Sequence, residues 1–312
     1  MKYTFVIPCY SSEKFIDKTV KELTDEIDRM QIEDYEIILV NDYSPDKTFQ
    51  KIVEIAKMNK KVIGIDLSQN SGQHNAILAG LRQGTGDIFV NLDDDLQTHP
   101  SQIPILLSKL KEGYDVVYGK YKNNIVGTRK SFSSLLHNKL VKWLLKKKGT
   151  WVATSFWVAK KSIINEMIKY NSEFTDMQAL FIRTTQNIAN AEIEHYSRVE
   201  GTSNYTFKKA LKLWSSVLNF TDRPTLLLMK IGAAIIVLGT VTEIIFLSTY
   251  NNLTSDITLF SIIIWALVML LGVIVLIAGY LGIYLIRLLK IAHNSPQYTT
   301  KRIIKNGEMY CE

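Results

Sequence analysis

The sequence predicts an α/β catalytic domain on a mostly parallel sheet, followed by a two-helix transmembrane hairpin. Three observations predict it. Strand-like and helix-like segments alternate one for one through the first part of the 312 residues, the pattern left by right-handed βαβ units. One of those strands, Asp87-Ile88-Phe89-Val90, runs straight into Asn91-Leu92-Asp93-Asp94-Asp95-Leu96-Gln97, so an apolar element delivers a cluster of carboxylates to its C-terminal end. Near the other end, Ile231 to Tyr250 and Leu259 to Ile286 are long apolar runs, each reaching the roughly 20 residues that cross a hydrocarbon core.

Thr4 to Pro8 reads as an apolar strand, and Ser12 to Met30 has the spacing of an amphipathic helix. Glu36 to Val40 is a strand, Lys47 to Met58 a helix, Val62 to Leu67 a strand and Gly72 to Gln83 a helix, before the acidic-tipped strand Asp87 to Leu92. A helix at Gln102 to Glu112, a strand at Tyr114 to Gly119 and a basic, mostly helical stretch from Ser131 to Lys147 follow. Val152 to Val158 is apolar and aromatic enough for a strand; helices at Lys161 to Tyr170 and Asp176 to Asn187 lead to a strand at Glu192 to Tyr196. Lys208 to Asn219 spaces Leu211, Leu213, Trp214 and Val217 as an interfacial helix with a basic face would, an ordinary packed helix being the plain alternative. No element is assigned to the tail, 291–312.

The organisation expected is a catalytic domain over 1–206, an interfacial region over 207–229, a membrane hairpin over 230–290 and a C-terminal tail over 291–312. About 220 residues suffice for one α/β core. Lys230 precedes the first apolar run and Arg287 and Lys290 follow the second, while the loop Asn251 to Asp256 has no Lys or Arg. The positive-inside rule then puts both flanks, and the catalytic domain, on the cytoplasmic side of the inner membrane. Met1 to Pro8 is too short an apolar run for a signal peptide. Glu243 lies inside the first run, where an ionisable group is costly and is a functional-site candidate, against the plainer reading of a protonated Glu at a helix interface. Gly272, Gly279 and Gly282 would let helices approach closely, which favours a homo-oligomer.

The net charge of +7 is concentrated in Lys120 to Lys148, around Lys208 to Lys212 and in the tail, which suits a basic surface beside anionic lipid. No recognition motif accompanies it, so nucleic acid is not an expected partner. Cys9 and Cys311 are far apart, fit no zinc or disulfide pattern and read as free thiols.

Ligands of parallel sheets sit beyond the strand C-termini, and here those ends carry Pro8-Cys9-Tyr10, Asn41-Asp42-Tyr43-Ser44 and Asp93 to Asp95. A hard, oxygen-rich cluster of this kind suits Mg²⁺ or Mn²⁺ carrying a diphosphate. Alternate side chains of an extended tip point to opposite sides, so Asp93 and Asp95 can share the ion while Asp94 faces elsewhere, a surface carboxylate on its plain reading. There is no GxGxxG or Walker loop, which argues against dinucleotide and ATPase chemistry.

Five segments in one order carry a resemblance. They are Val6-Ile7-Pro8-Cys9-Tyr10 with Glu13; Ile38 to Thr48 around Asn41-Asp42-Tyr43-Ser44; Asn70-Ser71-Gly72-Gln73-His74 running on to Gly80; Asp93-Asp94-Asp95-Leu96-Gln97 with Pro100; and Gly201-Thr202-Ser203-Asn204-Tyr205. Together they resemble the metal-dependent family 2 glycosyltransferases of GT-A fold, specifically the membrane-anchored polyprenyl-phosphate glycosyltransferases. The Gly72-Gln73-His74 form is most similar to the bacterial undecaprenyl-phosphate aminoarabinose transferases and their O-antigen glucosyltransferase relatives.

The resemblance implies a nucleotide-sugar donor, expected to be UDP-linked, and a polyprenyl phosphate acceptor. By similarity Pro8, Tyr10, Glu13 and Asp42 would hold the nucleoside, with Asn70, Gly72 and Asp94 also on the nucleotide side; Asp93 and Asp95 would hold the metal and diphosphate, with Gln97 a further oxygen ligand. Arg129, Lys130 and Arg198 would clamp the lipid phosphate, with Ser203 as a hydroxyl donor, and the assembly would be a homotetramer. A phosphate monoester is already an oxyanion near neutral pH, so the inverting displacement needs positioning more than a general base. Two departures stand out: Asn41 replaces the first Asp of the usual Asp-Asp pair, and Asn204 replaces the Lys of Gly-x-Ser-Lys. His74 reads as a packing or capping residue. The alternatives are a membrane glycosyltransferase acting on a glycan hydroxyl, disfavoured because no Gln-x-x-Arg-Trp follows the carboxylates, and a catalytically silent nucleotide-sugar-binding scaffold, which the intact acidic cluster argues against.

Overall fold

In a computed structural model of the chain, the described residues are 1–122, 151–171, 175–194 and 296–311, with helical positions scattered between 239 and 288. They fall in two compact units, Met1–Ser216 with Ser295–Glu312, and Val217–Asn294.

The first unit opens with three strand-helix repeats: β1 (Tyr3–Cys9), α1 (Ile16–Arg29), β2 (Tyr35–Asn41), α2 (Thr48–Met58), β3 (Val62–Leu67) and α3 (Gln73–Gln83), closed by β4 (Ile88–Asn91). These strands are buried along almost their whole length because helices cover both faces of the sheet. On one face Phe5, Ile7, Ile37 and Leu39 meet Ile16, Val20, Leu23 and Ile27 of α1, which recur at helical spacing. On the other, Ile38, Val40, Ile63 and Ile65 meet the small Ala76 and Ala79 of α3. The chain continues through a 3-10 turn at Pro100–Gln102, α4 (Ile103–Lys111), β5 (Val116–Tyr121), β6 (Trp157–Lys160), α5 (Lys161–Met167), α6 (Met177–Thr184) and β7 (Ile188–Ile193). It ends in β8 (Thr300–Lys305) and β9 (Glu308–Cys311).

All nine strands form one sheet, in the order β7-β5-β6-β4-β1-β2-β3-β8-β9. The core β3-β2-β1-β4 is parallel, but β6 runs antiparallel to β4 and β5, and β8 antiparallel to β3 and β9. The sheet is therefore mixed, where the sequence predicted a mostly parallel one. The difference lies at its two flanks, where β6 and β8 run against the strands they pair with. Two strands also start away from their expected positions. Residues 152–156, expected within a strand, do other work: Val152 N donates to Asn190 Oδ1 and Thr154 Oγ1 to the carbonyls of Gly119 and Phe156, so β6 begins at Trp157. The helix before β7 ends at Thr184, and β7 begins at Ile188 rather than Glu192.

β8 and β9 are elements that the sequence reading did not assign. They are joined by Asn306-Gly307, with φ of 56° and 82°, the left-handed pair of a two-residue hairpin turn. Asn-Gly between two short strands is the strongest local hairpin signal, and it stood in the sequence.

In the second unit every described position is helical. A Cβ built on Gly239 would lie 2.7 Å from Met269 Sδ, so the two helical stretches touch there, at positions nearly equidistant from the polar loop of residues 251–256. No helix among the described residues is long and apolar enough to cross a membrane. That loop, Glu243, Gly272, Gly279, Gly282 and the expected interfacial helix lie outside the described residues.

Candidate active site

Strand register decides what meets at the C-terminal edge of the sheet. Cys9 pairs with Asn41, so β1 and β2 end level with each other, while β4 ends at Asn91 opposite Val6, three residues short of that level, and Leu92 N still bonds Val6 O. The loop after β1 presents Tyr10 and the loop after β2 presents Tyr43, each 55% exposed. Both loops turn on a non-glycine residue in the left-handed region, Ser11 at φ 57° and Tyr43 at φ 57°. Such a residue costs about 1–3 kcal/mol and persists only where the surroundings enforce it. Here the two loops enforce each other. Ser11 N donates to Ser44 Oγ (3.0 Å), Ser12 N to Thr48 Oγ1 (2.8 Å) and Glu13 N to Asp46 Oδ2 (3.2 Å), while Lys47 N donates to Glu13 Oε2 (3.2 Å). Glu13 thus ties the loops together, and Pro8 is buried within β1 beside Val40.

Asp42 is 4% exposed. Its Oδ1 accepts from Ser71 N (2.7 Å), its Oδ2 from Gly72 N (2.9 Å), and its carbonyl from Asn70 Nδ2 (3.1 Å). Gly72, at φ 87°, begins α3 in a conformation that side-chain-bearing residues rarely adopt. Asp42, Asn70 and Gly72 therefore build one turn, which brings Gln73 towards the acidic tip.

At that tip Asp93 Oδ1 accepts from Gln73 Nε2 (2.8 Å) and Oδ2 from Ser155 Oγ. Asp95 Oδ1 accepts from Gln97 N (3.1 Å), closing a tight turn in which Leu96 sits at φ 56°. Asp94 points the other way. Its Oδ2 accepts from Ser12 Oγ, and Thr19 Oγ1 donates to its carbonyl (2.6 Å), so it braces the tip against the β1 loop and α1 instead of standing on the surface. Burial pushes its carboxyl up to about 6, opposed by the Ser12 hydrogen bond and reinforced by the charges of Asp93 and Asp95. Two buried amide oxygens, Asn91 Oδ1 and Asn75 Oδ1, have no partner among the described residues, and both lie on elements that feed this tip. His74 Nδ1 accepts from Met177 N (3.4 Å), a packing role between α3 and α6.

A cleft of about 480 Å³ opens on the β2 side of this edge, with Asn41, Tyr43, Ser44, Asp66, Lys301 and Arg302 in its walls. The acidic tip is not among them. Arg129, Lys130, Arg198 and Ser203 lie outside the described residues. The expected nucleoside and diphosphate residues are thus gathered at one edge of the sheet, while the expected acceptor residues are not described.

Residues 4–173 match the family described as Glycosyl transferase family 2. The chain belongs to that family. Among the relatives of this glycosyltransferase is the undecaprenyl-phosphate 4-deoxy-4-formamido-L-arabinose transferase of Proteus mirabilis (strain HI4320), 29% identical over 313 residues, 97% of this chain and 94% of the relative. The enzyme of the same name from Enterobacter sp. (strain 638) is 29% identical over 318 residues, 99% of this chain and 95% of its own. In structure the glycosyltransferase is similar to glucosyl-3-phosphoglycerate synthase from Mycobacterium tuberculosis in complex with phosphoglyceric acid, with a TM-score of 0.51, 18% identity and 70% and 80% of the two chains covered. A complex of that synthase with Mn²⁺, uridine diphosphate and phosphoglyceric acid also gives 0.51, at 17% identity over 70% and 76% of the chains. At such identity the likeness shows the fold, a GT-A α/β domain on a mixed sheet.

Proposed function

We propose that this glycosyltransferase moves a sugar from a nucleotide-linked donor, UDP-linked in the first instance, to the phosphate of undecaprenyl phosphate at the cytoplasmic face of the inner membrane, with inversion at the anomeric carbon. One observation carries the reading: two exposed tyrosines on mutually tied loops stand at the same sheet edge as a carboxylate tip. The names of the full-length relatives support the acceptor, and the Mn²⁺ and uridine diphosphate of the structural neighbour support the donor.

The donor set fits Mg²⁺ or Mn²⁺. Asp93 and Asp95 offer carboxylate oxygens and Gln97 an amide oxygen. Mg²⁺ and Mn²⁺ take such hard oxygens, one or two of them from carboxylates, and complete their shell with substrate phosphates and water. When bound, the ion offsets the charge that grows on the departing diphosphate. The chain supplies the rest. Tyr10 and Tyr43 offer flat faces to the base. Glu13 and Asp42 hold the loops that carry them, and Asp94 with Ser12 holds the tip. The acceptor phosphate needs cations to position it, and Arg129, Lys130 and Arg198, with Ser203, are proposed for that contact.

The membrane reading draws on the second unit, where Ile244, Leu259, Phe260, Leu267 and Leu270 are all more than half exposed on the isolated chain. We assign the interfacial region to 207–229 and the hairpin to 230–290, with assembly as a homotetramer. A panel of nucleotide sugars offered to the membrane-embedded protein with undecaprenyl phosphate tests the function. Metal-dependent transfer to the lipid phosphate is expected; efficient transfer to a free sugar hydroxyl, or none to any acceptor, overturns it. Replacing Arg129 or Arg198 by Ala should lower acceptor efficiency about tenfold to hundredfold and leave donor binding unchanged.

A further inference from the structure

β8 joins the sheet at a place that matters to the donor loops. Asn41 pairs with Asp66 across β2 and β3, and Asp66 pairs with Arg302 across β3 and β8, so the three form one lateral row at the C-terminal edge. The register shifts between Asp66 and Leu67, leaving Lys301 as the extra residue of a bulge on β8. Bulges re-aim neighbouring side chains, and this one sits next to Arg302.

The row is bonded end to end. Arg302 Nη2 and Nε donate to Asp66 Oδ2 (2.5 and 3.1 Å), and the guanidinium lies 4.5 Å from the centre of the Phe49 ring. Asn41 Nδ2 donates to Asp66 Oδ1 (2.7 Å), and Asn41 Oδ1 accepts from Ser44 N (3.3 Å). Ser44 Oγ then accepts from Ser11 N (3.0 Å). Asp66 and Asn41 are 4% and 3% exposed, so neither can exchange these bonds for water without cost.

We propose that Arg302, Asp66 and Asn41 are positioning residues for the nucleotide donor: β8, by docking its arginine, sets the two loops that carry Tyr10 and Tyr43. The inference rests on the donor site proposed above. It also accounts for an amide rather than a carboxylate at Asn41. Asp66 already balances Arg302, and a second buried carboxylate in the row would repel Asp66, whereas an amide donates to it and still accepts from Ser44.

The test uses full-length protein in detergent micelles, with uridine diphosphate and Mg²⁺ titrated by calorimetry and kinetics run against both substrates. Arg302→Gln should weaken uridine diphosphate binding about tenfold and raise the donor KM to match, with kcat and the acceptor KM within about twofold, and Arg302→Lys should recover part of the loss. Asn41→Asp should bind poorly at pH 8 and recover near about pH 5.5, where the introduced carboxyl protonates and can donate to Asp66 as the amide does. Lys305→Ala, an exposed change on the same strand, should bind as wild type. Unchanged affinity in folded Arg302→Gln, or no recovery of Asn41→Asp at low pH, overturns the relay while wild-type binding keeps the donor site. If Arg302→Gln does not fold, the pH response of Asn41→Asp decides alone. A wild-type protein that binds no uridine diphosphate would overturn the donor site and the relay with it.

Discussion

The ends of β2 and β4 both bring carboxylates to the same edge of the sheet, yet different kinds of donor hold them. Asp42 is gripped by the backbone amides of Ser71 and Gly72, which cannot turn away without undoing the start of α3. Asp93 is met by the side chains of Gln73 and Ser155, and Asp94 by the hydroxyl of Ser12. Side-chain donors rotate between wells at small cost, so a carboxylate held by them can re-pair with a ligand; one gripped at both oxygens by backbone amides, as Asp42 is, defines a loop. The comparison teaches that residue type alone does not assign a role. Backbone amides mark Asp42 as a shaping carboxylate, while at the tip the direction each carboxyl faces separates Asp94, bonded to Ser12, from Asp93 and Asp95.

The largest expected effect tests the β4 side. Asp93→Asn or Asp95→Asn removes a charged oxygen from the proposed diphosphate ion and should lower transfer about a hundredfold to a thousandfold, read as kcat/KM at saturating Mg²⁺. Asp94→Asn should stay within about tenfold, because its carboxyl faces Ser12 and not the ion. Equal losses at Asp94 and Asp95 would break the division between brace and ligand.

A smaller effect is expected on the β2 side. Asp42→Ala leaves the Ser71 and Gly72 amides without their acceptor inside a tight turn, a loss of about 1–3 kcal/mol, seen as a lower Tm. The donor KM should rise with it as Gln73 loses its placement, while kcat at saturating donor falls far less than in Asp95→Asn. A fall in kcat as deep as that of Asp95→Asn, with Tm unchanged, would move Asp42 to the chemical side of the comparison.

Much of this was legible in the sequence. The β1 to β4 alternation and the tip at Asp93 to Asp95 follow from period and composition, because strands covered on both faces must be apolar throughout and a solvent-facing carboxylate run can only lie at their ends. The partners of those carboxylates were not legible. Ser155 lies 62 residues from Asp93, and Arg302 lies 236 residues from Asp66; no local pattern encodes a pairing set by sheet order. The final hairpin could have been read from Asn306-Gly307, but its strands, Thr300–Lys305 and Glu308–Cys311, are so polar that their alternation is faint. Arg82 shows the same limit: it bonds the carbonyls of Ile168 and Tyr170 and the amide oxygen of Gln297, and so ties the chain ahead of β8 to α3 through contacts visible only in the fold.

The smallest expected effect concerns a carboxylate that belongs wholly to the shaping class. Glu36 sits at the far end of β2 from the acidic tip, accepting from Thr85 N, Thr85 Oγ1 and Thr4 Oγ1 and pairing with Lys2 Nζ (2.9 Å). Burial alone would push its carboxyl up, but the hydrogen bonds from Thr85, Thr4 and Lys2 together outweigh it and hold the group below its usual value. A carboxylate depressed in the folded state stabilises the fold above its unfolded pKa, and that stabilisation disappears as pH falls through the lower, folded value. The Tm of the wild type should therefore drop faster than that of Glu36→Gln once the pH goes below about 4.5. At pH 7.5 the two proteins should differ in Tm by only a few degrees and have the same kcat and donor KM. A change in donor KM for Glu36→Gln would mean that the base of β2 communicates with its mouth, and the separation between the two classes of carboxylate would fail.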